Sequence, residues 1–386
     1  MPFIESLRQG LATTVALAAR AFKALFRRTS PQSTPGAASP QSAASPQSAA
    51  APSRRRRIVK LTAVAIVLVL ALMYANFFYA TQFWTNFDPD YPAKVLAAGT
   101  ATSTAATTAP SASAAAPKAC RRSEIVAITA HLVDFNVNQN SWISSMLLSK
   151  LGFFGIAWRD TPIFDNKAAF QLGINQVLRR TTTELVDTLG RTRGTSQIDQ
   201  NLQDARTALA WSETAWYIGS RGPTRATPGI YREAITRLNA FNAGLEKCTT
   251  TFDARADNLL TFLDRIAGDI GSTSDILRIQ IENGKSLYLD FRADDRFWFA
   301  YGQLYAYYGI LEATRNDFAT IIRDRNLTTV WDNMQSQIRS ALDVQPWIIS
   351  NGNESSILFP SHLATMGFNM MRARSQIVEI RSILDR

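Results

Sequence analysis

The stretch from Ile58 to Ala80, IVKLTAVAIVLVLALMYANFFYA, constrains this chain more than any other part of it. It carries one charge, Lys60, near its start, and none from Leu61 to Ala75. About 20 apolar residues suffice to cross a bilayer as a helix, because all backbone polar groups are then bonded within the segment. Lys60 can extend its ammonium back toward the headgroups. Tyr74, Phe77, Phe78, Tyr79, Phe83 and Trp84 gather at the far end, as in an interfacial aromatic belt. The sequence therefore predicts one transmembrane helix over residues 58–80, retained as a signal-anchor. A cleaved signal peptide fits poorly: more than fifty residues precede the apolar run, and no small-x-small cleavage site follows it.

Direction follows from the flanks. Arg54, Arg55, Arg56 and Arg57 abut the near side, with Lys60 just within. Asp88 and Asp90 lie on the far side, where no basic residue appears before Lys94. Positive flanks stay in the cytoplasm, so the N-terminus is expected inside and the C-terminal part outside. The net charge of +10 is partitioned in the same way. Residues 1–57 hold nine basic residues against one acid, Glu5, and of all 41 basic and 31 acidic residues, ten and one precede Leu61. The remainder is nearly neutral. The basic tract suits the anionic lipid of an inner leaflet, and no nucleic-acid-binding signature accompanies it, so no nucleic-acid partner is expected.

Around the anchor the chain divides into four further parts. Residues 1–28 carry Phe3, Ile4, Leu7, Leu11, Val15, Phe22, Leu25 and Phe26 at three- and four-residue steps, with Arg8, Arg20, Lys23 and Arg27 mostly off that stripe. This predicts a basic amphipathic helix for the inner membrane surface, or alternatively for a protein partner. Residues 29–57 repeat Ser-Pro-Gln-Ser three times among Ala, Ser and Pro and end in the arginine cluster. Such a stretch has too little apolar surface to fold and reads as a tether. Residues 81–119 read as a second linker, since positions 97–117 are all Ala, Thr, Ser, Gly or Pro. From residue 120 to 386 helical periodicity recurs over Glu124–Val137, Asn166–Leu189, Ser196–Ile218, Pro228–Leu245, Asp253–Ile270, Asp294–Arg323, Thr328–Val344 and Ser361–Leu384. Pro228 suits a first helical turn, where its missing N–H costs least. No run of two-residue alternation bounded by hairpin turns appears, so the expected fold is all-α: a membrane helix followed by an extracytoplasmic domain of about eight helices.

Chemistry is sparse. Nucleotide-binding glycine loops, a His-Glu-x-x-His pair and a Gly-x-Ser-x-Gly elbow are absent, so no catalytic residue, cofactor or metal ligand is assigned. Two cysteines, Cys120 and Cys248, can pair in an oxidising compartment or stand apart. The acid pairs Asp294–Asp295 and Asp253–Asp257 read as solvated or helix-start carboxylates. Arg255, Asp257 and Asn258 form a candidate polar network or binding group. Seven of the twelve residues from 297 to 308 are aromatic. Core packing is the favoured reading, and an aromatic groove of Trp298, Tyr301, Tyr305 and Tyr308 for a sugar or peptide is the alternative. Asn351 and His362 are the last candidates for a polar network or binding group, read first as a turn residue and a helix-start histidine, with a catalytic base as the alternative for His362.

Ala254 to Leu260, the aromatic helix from Asp294 to Leu311, and the run from Trp347 through Asn351, Gly352, His362 and Arg374 to Leu384 together resemble an uncharacterised proteobacterial family, domain of unknown function 2333. The likeness covers residues 120–386 and is strongest after residue 250. It implies a bacterial inner membrane with the helical domain in the periplasm, and adds no activity. The leading expectation is a non-enzymatic scaffold or adaptor of the cell envelope, binding a protein partner or the cell wall. The alternatives are a carbohydrate-cleaving enzyme of the wall, and a sensory domain working through a partner.

Overall fold

The computed structural model describes residues 54–105, 120–152, 156–161, 164–191, 197–219, 222–284, 292–346, 348–352 and 361–386. The amphipathic helix expected at 1–28 and nearly all of the tether at 29–57 lie outside them. The first helix, α1 (Arg54–Gln82), takes in the whole apolar run, and its stretch Arg57–Gln82 is long and apolar enough to cross a membrane. Eleven more α-helices follow among the described residues: α2 (Tyr91–Ala105), α3 (Glu124–Asp134), α4 (Leu147–Leu151), α5 (Asn166–Glu184), α6 (Gln200–Leu209), α7 (Thr227–Glu246), α8 (Ala256–Gly284), α9 (Ala293–Asp317), α10 (Ala319–Asp324), α11 (Thr328–Leu342) and α12 (His362–Leu384).

The protein is thus mostly helical, as the periodicity predicts, with differences of detail. Three helices go beyond the expected set: α2, α4 and α10, the last because the predicted helix 294–323 breaks at Phe318. The helix expected from Ser196 to Ile218 is only Gln200–Leu209. Asp199 caps it, accepting from the N–H groups of Asn201 and Leu202. Its predicted C-terminal part is instead a turn leading into a two-stranded antiparallel hairpin, β1 (Ile218–Gly219) with β2 (Gly222–Pro223), a small exception to the all-helical expectation. Other ends follow local signals. Pro228 lies in the first turn of α7, and the Ser361 hydroxyl accepts from Ala364 N–H to start α12.

The bundle is organised around α9, which packs on α5, α3, α11, α8 and α12. Its closest crossing is with α5, where glycines let the backbones meet. A Cβ on Gly173 would lie on the Phe299 carbonyl oxygen, and one on Gly302 on the Phe170 carbonyl oxygen. Around that crossing lie Phe170, Ile174, Val177, Phe297, Tyr301, Leu304 and Tyr305, all buried. Buried polar groups tie the helices to one another. Asp269 on α8 accepts from Gln176 of α5 at 2.7 Å and from Gln303 and Tyr307 of α9 at 2.9 and 2.7 Å. A buried carboxylate with three donors is satisfied and costs far less than an unpaired one.

The linker expected at 81–119 is in part helix and in part core. Residues 91–105 form α2, and Trp84, Phe87 and Tyr91 pack against the main hydrophobic cluster. The low-complexity composition hid this, because the three rings that enter the core precede the Ala/Thr/Ser stretch.

Candidate functional site

The last carbonyls of a helix have no partner within it and must find one elsewhere. At the end of α1 one of them, together with the carbonyl just beyond the helix, faces a lysine. Lys167, in the first turn of α5, donates through Nζ to the carbonyl oxygens of Ala80 at 2.9 Å and Phe83 at 2.7 Å. The side chain is 3% exposed, and burial brings its ammonium down to about 8. A cation at the negative end of the α1 dipole is favourably placed. Packing reinforces the contact. The Phe77 ring meets Trp158 edge-on at 4.3 Å, Phe78 meets Phe164 at 5.2 Å, and the Tyr74 hydroxyl donates to the Gly152 carbonyl at 3.2 Å. One turn further on, Asn140 brackets Thr85, accepting from its N–H at 3.0 Å and donating to its carbonyl at 2.9 Å.

Directly before Lys167 lies a group of carboxyls. Asp165 is buried against the start of α9, where Asp294 is also buried. With its amide oriented to satisfy both polar atoms, Asn166 donates to Asp294 Oδ2 at 3.2 Å and accepts from Trp298 Nε1 at 3.3 Å. Burial, then the neighbouring charges of Asp295 and Asp294, hold the Asp165 carboxyl well above the ordinary carboxylate range. At 2% exposure Asp165 does not face solvent. Asp294, which the sequence presents as a solvated or capping acid, is in fact part of this buried group.

The aromatic groove is not open. Tyr301 and Tyr305 are buried, Trp298 and Tyr308 are partly buried, and the space beside them is filled by the chain itself. Phe87 and Tyr91 stack on Tyr305 at 5.6 and 4.7 Å, and Trp84 sits 5.1 Å from Trp298. The tyrosine hydroxyls serve the backbone: Tyr301 donates to Leu342 O at 2.6 Å and Tyr305 to Asp88 O at 3.0 Å. Aromatic density marks a groove here, but its occupant is the segment following α1.

The other sequence candidates hold helix ends. Arg255 pairs with Asp253 at 2.8 Å and lies 3.6 Å from Asp257, while Asn258 donates to Asp253 O at 2.9 Å. Asp253 N–H in turn bonds Leu189 O, so this group fastens the start of α8 to the end of the α5 segment. His362 accepts from Ser350 N–H at its Nδ1, and burial lowers its basicity. Asn351 is buried, bridges to Ser361 and donates to Gln280 O at 3.1 Å. Arg54, Arg55, Arg56, Arg57 and Lys60 all lie on α1, and Arg57 and Lys60 are exposed.

Cys120 and Cys248 form a disulfide with Cα atoms 5.5 Å apart. Beside it is a clasp that sequence reasoning missed. Asp317, at the end of α9, accepts from the Ser123 hydroxyl at 2.7 Å and from the N–H groups of Glu124 and Ile125 at 2.9 and 3.0 Å, capping α3 from outside. Burial pushes its carboxyl up to about 6, against the pull of these donors. Asn242 brackets Ser123, accepting from its N–H at 2.7 Å and donating to its carbonyl at 3.0 Å. Nearby, an open groove of about 520 Å³ runs between α3 and α7, with Arg122, His131, Asp134, Asn239 and Glu246 among its lining.

No group of three or more metal-ligating side chains occurs among the described residues. Neither a curated protein nor a solved structure matches the chain. Residues 136–290 and 285–386 match a family described as an uncharacterized protein conserved in bacteria (DUF2333). The chain belongs to that family.

Proposed function

We propose that this family member is a membrane-anchored scaffold of the bacterial envelope. Its N-terminus is cytoplasmic, α1 spans the inner membrane, and the helical domain stands in the periplasm, where it binds a protein partner or the cell wall. The observation that carries this reading is the joint at the end of α1. Lys167, Phe77 with Trp158, and the threaded Trp84, Phe87 and Tyr91 fix the domain to the helix that anchors it. The side chains that chemistry would call upon support the same reading, since His362, Tyr301 and Tyr305 are engaged in hydrogen bonds to the backbone. The basic flank of α1 and the nearly neutral remainder support the orientation. A sensory role working through a partner draws on the same joint, because a fixed connection passes displacement from one side to the other.

The groove between α3 and α7 is the face offered to a partner, and it carries both signs of charge in Arg122, Asp134 and Glu246. The test is photocrosslinking in cells from position 239, which is exposed on the groove rim. One defined envelope protein should be captured, and Glu246→Arg should abolish the capture while the protein still inserts. Wall fragments at the same position would replace a protein partner by the wall. A capture pattern unchanged by Glu246→Arg would remove the groove from the reading.

A further inference from the structure

We propose that the segment from Met146 to Gly152 is a second membrane contact, seated in the interface of the outer leaflet beside α1. This rests on α1 spanning the membrane. Depth along that helix is the first support. The Tyr74 hydroxyl donates to the Gly152 carbonyl, and Tyr74 lies six residues inside the end of the apolar run at Ala80. At 1.5 Å per residue that is about 9 Å along the axis. The 26 residues of Arg57–Gln82 make a helix about 39 Å long, which exceeds a hydrocarbon thickness of about 30 Å. With Arg57 at the inner boundary, the outer boundary falls about 20 residues on, near Phe77. Gly152 therefore sits at the level of lipid rather than of bulk water.

Composition agrees with that depth. Residues 146–151 read Met-Leu-Leu-Ser-Lys-Leu. One side of the segment faces α1: Ile143 and Leu148 are buried with Phe77, Ala80 and Trp158, and Met73, Tyr74 and Met146 pack against them. On the other side Leu151 turns outward and is 62% exposed, an apolar side chain at the depth already set by Tyr74. Lys150, also exposed, is the neighbour that an interfacial position favours, with its stem in the acyl boundary and its ammonium at the phosphates. The backbone is prepared for such a place. Gly152 N–H bonds Leu148 O at 3.0 Å, and its carbonyl has the tyrosine hydroxyl. A surface fixed to the membrane helix at this depth has lipid as its neighbour, which names the occupant.

The experiment uses the full chain in vesicles of phosphatidylethanolamine and phosphatidylglycerol. Leu151→Cys, Leu68→Cys and Ser382→Cys are spin-labelled in turn, the native cysteines being paired. For each, relaxation by oxygen is compared with relaxation by a water-soluble nickel chelate. The oxygen preference at 151 should exceed that at 382 severalfold and approach that at 68. A label at 151 matching 382, with 68 in lipid, overturns the second contact and leaves the anchor intact. A label at 68 that also matches 382 overturns the anchor, and the second contact falls with it.

Discussion

The chain joins the helical bundle twice, at residues 82–91 and again at residues 120–124, and the two junctions share one device and differ in the rest. At each, an asparagine brackets a backbone position, Asn140 at Thr85 and Asn242 at Ser123, with donor and acceptor both used. Each also has a buried charge on a helix end, of opposite sign as the dipole requires: Lys167 on carbonyls at the end of α1, Asp317 on N–H groups at the start of α3. Only the second has a covalent bond, Cys120–Cys248. The reason lies in what each segment can bury. Residues 84–91 bring three rings into the core, whereas the sequence of residues 97–117, all Ala, Thr, Ser, Gly or Pro, offers little apolar surface to bury. Where apolar burial is short, a cross-link that limits the unfolded chain makes up the difference.

The largest expected effect falls on the covalent side. Replacing both Cys120 and Cys248 by Ser should cost about 2–5 kcal/mol, as for a native disulfide closing a long loop. Thermal unfolding with and without reductant measures it. A loss under about 1 kcal/mol would mean that Asp317 and Asn242 suffice, and the contrast between the two junctions would dissolve. Next in size is Lys167→Met, which leaves the carbonyls of Ala80 and Phe83 without their donor and should cost about 1–3 kcal/mol. Lys167→Arg, keeping the charge and donors, should recover part of it. An unchanged midpoint for Lys167→Met would place the strength of that junction in the rings alone.

The smallest effect is a difference of sign with pH. Asp317 titrates at about 6 in the folded chain, above its ordinary 3.8. The folded state then holds the proton more tightly, so this contribution is fully present below pH 3.8 and declines as pH rises through 6. Lys167 titrates at about 8, below its ordinary 10.5, so its contribution increases as pH rises from 8 toward 10.5. Asp317→Asn should flatten the acid arm of a stability–pH curve and Lys167→Met the alkaline arm. Both arms unchanged in both variants would show that neither group titrates as its burial dictates.

The helices are legible in the sequence because each repeats an apolar face every three to four residues, and Pro228 and Ser361 mark two of their starts. The partners of those faces are not. Trp84 reads as part of a membrane belt, and Phe87 and Tyr91 pass as linker, since an aromatic ring suits an interface and a core equally well. Lys167 and Asp317 do leave a signal. Lys167 stands on the stripe of Phe170, Ile174 and Val177, and Asp317 on that of Ile310 and Thr314. A charge on an apolar stripe asks for a buried counterpart, but the counterparts here are backbone groups about 85 and 195 residues distant, which no local pattern encodes.

The clamp on the end of α1 has a mechanical corollary. A helix whose apolar length exceeds the hydrocarbon thickness relieves the mismatch by leaning. A domain on a slack tether would ignore that lean. Here Lys167 and the Phe77–Trp158 contact make the helix end and the bundle a single lever. On the proposal that α1 crosses a bilayer, the bundle's heading would follow the lean of that helix, and a thinner or thicker bilayer would turn it.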